Sequence, residues 1–236
     1  MLQFINIAIN DFRLIFRDTT LRVFLVMPVL ILLIVCYFLP YLEKTYPATG
    51  DYIIYIVIMS CTQASTMYGF IYSVVFLDER DTEVAKIYGI LPISKEGFIL
   101  SRMFLPYILS TLTTFVILLV QPIYPELSVG GTFIFSALFG LLAPIMALSV
   151  AGLANNKMEG MTWYKGLNLI VSLPLAAFFL PDWGYCFGVF PTFWAYMGMH
   201  AFILEESYLL ELGVGFIFSL LLLIGLAKFF TKRHFA

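Results

Sequence analysis

The sequence predicts an all-α integral membrane protein: a single transmembrane domain of six helices over residues 1–236, with an interfacial amphipathic helix before the first span. Three observations predict it. First, 61% of the residues are hydrophobic and only 12% charged, against about 25% charged in an ordinary soluble domain. Second, six stretches approach the roughly 20 apolar residues that a helix needs to cross the hydrocarbon core. Third, the basic residues all but one gather on one side of those stretches, as the positive-inside rule requires.

The elements follow in chain order. Residues 1–20 put Phe4, Ile5, Ala8, Ile9, Phe12, Ile15 and Phe16 on one helical face and Gln3, Asn6, Asn10, Arg13 and Arg17 largely on the other. That pattern suits a helix lying flat in the interface, and it lacks the short basic start and small-residue cleavage site of a leader. The spans are expected at about 22–40, 52–77, 98–120, 131–154, 162–181 and 207–229. Pro28, Pro106, Pro144 and Pro174 fall inside them, which membrane helices tolerate when neighbours satisfy the freed carbonyl.

Residues 183–204 are also uncharged. Counting them as a seventh span would place Lys228, Lys232 and Arg233 outside. With six spans, twelve of the thirteen basic residues are cytoplasmic, Lys44 alone being outside. The stretch is therefore read as an outer re-entrant or interfacial segment. Its aromatics, Trp183 to Tyr196, suit the headgroup region, and its His200 is read as hydrogen-bonded rather than as a ligand.

After the second span the chain reads Phe76-Leu-Asp-Glu-Arg-Asp-Thr-Glu-Val-Ala-Lys-Ile-Tyr-Gly-Ile-Leu-Pro. Val84, Ile87, Tyr88 and Leu91 recur at the spacing of one helical stripe, and Pro92 stops it. Ser94 fits the N-cap of the next span. Such a helix either lies in the lipid interface or serves as a knob for a cytoplasmic partner. Residues 154–166 are short and polar and read as a loop.

The composition excludes several classes. A net charge of −2 offers no basic field for nucleic acid. Cys36, Cys61 and Cys186 stand apart, with neither disulfide nor zinc spacing. The sequence contains no Gly-x-x-x-x-Gly-Lys-Ser/Thr loop, so ATP, if used, is bound elsewhere. No metalloprotease helix, nucleophile elbow or paired intramembrane acid is present, so no catalytic or metal-binding residue is expected. No charge sits at the centre of a span, which argues against an ion-coupled carrier. In the second span Thr62, Ser65, Thr66, Gly69 and Ser73 form a polar stripe with Gln63 beside it. Small polar residues either pack helices together or line a pathway, and both readings stay open. Ala143, Ala147 and Ala151 form a packing ridge.

An acidic Asp78-Glu-Arg-Asp81, an amphipathic turn ending Leu91-Pro-Ile-Ser94, and Asn155-Asn-Lys-Met-Glu-Gly160 followed by Lys165 together resemble the ABC-2 type permease pattern. The resemblance covers the whole chain in topology. It implies a type V exporter-like membrane subunit in a bacterial inner membrane, with both termini cytoplasmic. It implies a coupling helix from about Asp81 to Leu91 seated in a separate ABC ATPase, with Glu79, Asp81, Glu83, Val84, Ile87, Tyr88 and Leu91 as coupling residues. ATP and Mg would belong to that partner, and this chain would bind no cofactor. It implies pairing with a second copy or a sister permease, and re-entrant helices within 183–204. Spans two and five would flank the route, making Met59, Gln63, Thr66 and Phe70 lining candidates, with Asn168 and Ser172 opposite. The aromatic-rich interior suits an amphipathic or hydrophobic cargo: a drug-like compound, a lipid or a peptide. The alternative is a non-ABC membrane protein, either a stand-alone carrier or a structural subunit.

Overall fold

The computed structural model describes residues 15–82, 95–180 and 183–234, and among them every regular element is helical. The N-terminal helix expected over 1–20 lies almost wholly outside the described residues, as does the stripe from Val84 to Leu91 with its Pro92 stop and Ser94 cap.

The first span is helix α1 (Thr19–Leu33), a π-helical turn (Ile34–Phe38) and α2 (Leu39–Thr45). The π turn has a local cause. Pro40 brings no N–H and its ring clashes with a carbonyl four residues back. One extra residue is wound in ahead of it, so the Leu39 N–H reaches the Ile34 carbonyl five residues away. A 3-10 turn (Pro47–Thr49) leads into α3 (Gly50–Asp81). At 32 residues α3 is about 48 Å long, longer than the roughly 30 Å hydrocarbon core.

Helix α4 (Lys95–Val120) keeps Pro106 inside it. The fourth expected span is split into α5 (Val129–Gly140) and α6 (Leu142–Leu153). Pro144 cannot donate to the turn before it, and the Leu141 N–H shortens its bond to Leu138 at 3.2 Å.

Helix α7 (Lys157–Ser172) begins earlier than expected and tightens at Pro174 into a 3-10 run (Leu173–Phe179). After a second 3-10 helix (Gly184–Val189), Phe190 is extended ahead of Pro191, as a residue before proline must be, and α8 (Pro191–Ile203) follows. The last helix is α9 (Leu209–His234).

Among the described residues, five helical segments are long and apolar enough to cross a membrane: Leu21–Thr45, Pro47–Asp81, Arg102–Val120, Val129–Leu153 and Leu209–Arg233. The stretch 162–181 is not among them; it carries Lys165, Asn168 and Ser172, and winds as α7 to Ser172 and as a 3-10 run beyond. The chain is thus a multi-pass helical membrane protein.

Burial separates centre from rim. The apolar windows of α3 and of α5–α6 are 67% and 78% buried, against 17% for the first span and 11% for α9. Helix α3 threads two apolar clusters. One joins its residues Tyr68–Leu77 to α6, Tyr164 and Phe230. The other joins its residues Ile53–Ala64 to α5, α8 and the end of α4. Within the first cluster, Gly69 lets α3 and α6 touch. A Cβ there would stand 2.6 Å from both the Ala143 carbonyl oxygen and Met146 Cβ. Ala143, Ala147 and Ala151 are fully buried, the packing ridge that their spacing predicts.

Candidate functional site

The end of the bundle that carries Arg17, Arg80, Lys157 and Arg233 is called here the basic end. Its architecture starts from an unmet demand. The last carbonyls of α6 have no partner within their own helix. Arg80, in the last turn of α3, donates through Nη1 to the Ala154 carbonyl at 2.7 Å and through Nη2 to that of Ala151 at 3.1 Å. Arg233, near the end of α9, donates to the Gly152 carbonyl at 2.8 Å and to Asn155 Oδ1 at 2.6 Å. Two cations therefore cap one helix C-terminus, where the dipole favours positive charge.

The segment Asn155–Gly160 is a helix start, not a loop. Asn156 Oδ1 accepts from the Glu159 N–H at 2.9 Å. Glu159 reaches back to accept from the Asn155 N–H and side-chain amide, each at 2.9 Å, and also takes the Trp163 indole N–H. These bonds, led by the Asn155 N–H, hold the Glu159 carboxyl below its ordinary range. The arrangement is a capping box, and Asn-x-x-Glu could have been recognised as one in the sequence. Gly160 closes it against α3, since a Cβ would stand 2.5 Å from Leu77 Cδ1. Lys157 donates to Asp18 at 2.7 Å and lies 3.5 Å from Asp78. Burial alone would lower its ammonium; the two carboxylates outweigh that and hold it above the ordinary lysine value. The start of α1, the end of α3, α6, α7 and α9 thus meet in one polar knot.

Beside the knot lies a group that sequence reasoning did not single out. Arg102, in α4, donates to Glu79 Oε2 at 2.6 Å, and the two side chains are 1% and 6% exposed. The guanidinium carbon lies 4.5 Å over the Phe76 ring, a cation–π contact. Phe76 in turn packs on Phe230 of α9, with ring centroids 5.0 Å apart. The only sequence signal was an arginine in the opening turns of an otherwise apolar span.

The candidate coupling residues thus divide. Glu79 is in this buried pair. Asp81 is exposed at the end of α3. Glu83, Val84, Ile87, Tyr88 and Leu91 lie outside the described residues.

The candidate lining residues come together between α3 and α7. Asn168 Nδ2 donates to Gln63 Oε1 at 2.9 Å, while Gln63 Nε2 lies 3.4 Å from Ser172 Oγ and 3.8 Å from Met59 Sδ. Ser172 donates to the Asn168 carbonyl at 2.8 Å. Gln63, Asn168, Ser172 and Met59 are half-buried; Thr66 and Phe70 are buried. Phe70 packs on Tyr164 at 4.5 Å and on Phe24 at 4.6 Å. Asn168 Oδ1 is buried with no hydrogen-bond partner among the described residues.

Elsewhere on the polar stripe of α3, Ser65 and Thr62 tie it to other helices, while Ser73 bonds within its own. Ser65 accepts from Ser110 at 2.7 Å and Thr62 bonds Tyr196 at 3.1 Å. Ser73 turns back to the Phe70 carbonyl at 2.7 Å. Packing accounts for these residues.

The family model described as "Rv2686c-like: Fluoroquinolones export permease protein Rv2686c-like" matches residues 11–227. No curated protein and no solved structure matches the chain.

Proposed function

The chain belongs to the Rv2686c-like family of fluoroquinolone export permeases, a family of the ABC-2 type, and on that premise we propose that it is the membrane subunit of an ATP-driven exporter. The family match over residues 11–227 carries the reading. In this reading a separate ABC ATPase binds ATP and Mg. The segment from about Asp81 to Leu91 docks in it, with Asp81 and Glu83 as polar contacts and Val84, Ile87, Tyr88 and Leu91 as the apolar face. Two permeases pair, and the cargo is an amphipathic compound of the fluoroquinolone kind.

Six crossings are proposed, with the basic end and both termini in the cytoplasm of a bacterial inner membrane. Helix α7 and its 3-10 continuation have 16 and 7 residues. At about 1.5 and 2.0 Å per residue they reach roughly 38 Å, enough for a bilayer core. The short pair Gly184–Val189 and α8 then forms the outer re-entrant segment.

The proposed route runs along Met59, Gln63, Thr66, Phe70, Asn168 and Ser172. Half-buried amides at mid-helix are costly against lipid tails, which favours a cargo path or a paired subunit over a lipid-facing wall. The open acceptor on Asn168 supports recognition of a hydrogen-bond donor on the cargo.

The test is a pull-down of tagged full-length chain in mild detergent from cells co-expressing candidate ATPases, comparing wild type with Ile87→Asp/Leu91→Asp. An ATPase that comes with wild type and is lost from a normally inserted variant is the expected result. Well-folded wild type that recruits none overturns the assignment in favour of a stand-alone carrier or a structural subunit.

A further inference from the structure

Glu79 lies two residues before the end of α3, and Arg102 lies in the second turn of α4. The chain between these helices, residues 82–94, holds the proposed docking segment. The buried pair therefore joins the two roots of that segment to each other. The contact is charged, short and directional: 2.6 Å from Nη1 to Oε2, with the guanidinium plane carrying a second contact to Phe76. Phe76 passes it on to Phe230 of α9. The neighbouring Arg80 holds the same turn of α3 to the end of α6.

Cohesion alone does not call for such a pair. Taking two charges out of water costs several kcal/mol per ion, and apolar side chains of similar volume often hold helices as well or better. What a planar guanidinium on a carboxylate adds is a fixed relative position. A buried glutamate paired in this way is also poorly placed to reach a docked protein.

We propose that Glu79 and Arg102 are positioning residues for energy coupling. Their pair locks the roots of the docking segment into one register, so that displacement of the segment moves α3 and α4 together and, through Phe76 and Phe230, α9. Glu79 acts through Arg102 and does not touch the ATPase. This rests on the docking reading above.

The experiment uses full-length chain co-purified with its ATPase and reconstituted in liposomes, with a fluoroquinolone as the transported probe. Fluoroquinolone moved per ATP hydrolysed is compared in wild type, the apolar pair Glu79→Leu/Arg102→Met and the swapped pair Glu79→Arg/Arg102→Glu. The apolar pair is expected to purify as wild type does and to bind the ATPase at the same stoichiometry. It should hydrolyse ATP yet move at least tenfold less probe per ATP, and the swapped pair should recover much of that loss.

An apolar pair with the wild-type ratio overturns the proposal and leaves the ion pair a packing contact. Loss of ATPase binding from a folded apolar pair overturns it differently, making Glu79 a contact residue. Should the apolar pair fail to fold, Arg102→Lys replaces it. That variant keeps the charge and loses the guanidinium over Phe76, and a drop of about threefold in the ratio is expected, whereas no change overturns the proposal. If wild type itself recruits no ATPase, the functional assignment has failed first, and the wild-type control alone reveals it.

Discussion

The two ends of α3 are built from different physics. At the basic end its last turns are held by Glu79 on Arg102, Arg80 on the α6 carbonyls and Asp78 near Lys157. At the far end its first turns are held by rings. Tyr52 stacks on Phe179 at 6.3 Å, and Tyr55 lies 4.8 Å from Phe178 and 5.8 Å from His200, nearly parallel to it. Ion pairs with planar geometry fix one position, whereas ring faces keep much of their contact while sliding. One end of the central helix is held by charged hydrogen bonds and the other by ring contacts.

Breaking the pinned end should give the largest effect. Arg102→Ala removes the cation that Glu79 holds at 2.6 Å in a buried site, and removal of one buried partner typically costs about 3–5 kcal/mol. Thermal unfolding of detergent-purified protein checks this, and a shift no larger than that of a surface variant would show the pair to be water-accessible.

The pivot between the ends comes next. Gly69→Ala must push α3 off the Ala143 backbone, at roughly 1–3 kcal/mol for an overpacked core. The same unfolding assay reads it, and Gly166→Ala, which meets open space, is the matched control.

The far end should yield less. Tyr55→Leu removes three ring contacts and should cost about 0.5–1.5 kcal/mol beyond the area lost, with the loosening confined by hydrogen exchange to α8 and the start of α3. The comparison sharpens further with pH. Burial lowers the His200 imidazole value, partly opposed by Glu206. A base whose folded value is lowered takes its proton first in the unfolded chain, so stability falls as pH drops below the ordinary histidine value. Protection from exchange near Tyr55 and His200, taken relative to the intrinsic rate at each pH, should fall between neutral pH and about pH 5, with the basic end unchanged. His200→Phe should abolish the response.

The smallest expected change is at Lys157. Its side chain is 32% exposed, so Lys157→Met should cost at most about 1 kcal/mol. Its raised value means that this contribution persists through neutral pH and fades only as alkalinity passes the folded lysine value.

A different kind of change is expected beyond α8. Glu205 sits at φ 59° and closes a Schellman turn, with Glu206 N–H on the Ala201 carbonyl at 2.8 Å and Glu205 N–H on that of Phe202 at 3.3 Å. That position favours glycine. Glu205→Gly should stabilise by about 0.5–1 kcal/mol, again read by thermal unfolding.

Much of this was legible in the residues. Apolar runs of membrane length, and the charges that punctuate them, are local and additive along the chain, so the all-helical class and most spans followed from them. The family pattern sets Gln63 opposite Asn168 and Ser172 as lining candidates, and the structure brings the three side chains into contact. Pro174 was noticed, yet its consequence depended on a neighbour. The Ile170 carbonyl that it frees is taken locally by the Leu173 N–H, but the next one, of Val171, accepts from the Tyr196 hydroxyl at 3.0 Å, a partner that no local pattern names. The Asn156–Glu159 box is readable in the sequence, yet its polarity reads as a loop in a chain where polarity usually marks an exit from the membrane.

By itself, then, the sequence determined the solvent, the helical class and the chemical asymmetry of this protein, since each depends on composition and short-range period. Only the tertiary structure decided the partners. Ser65 belongs to Ser110, Arg80 and Arg233 share one helix end, and Glu79 turns inward to Arg102. The physical reason is that a polar group in an apolar surround takes whatever complement the packing brings within 3 Å, and no local pattern states which residue that will be.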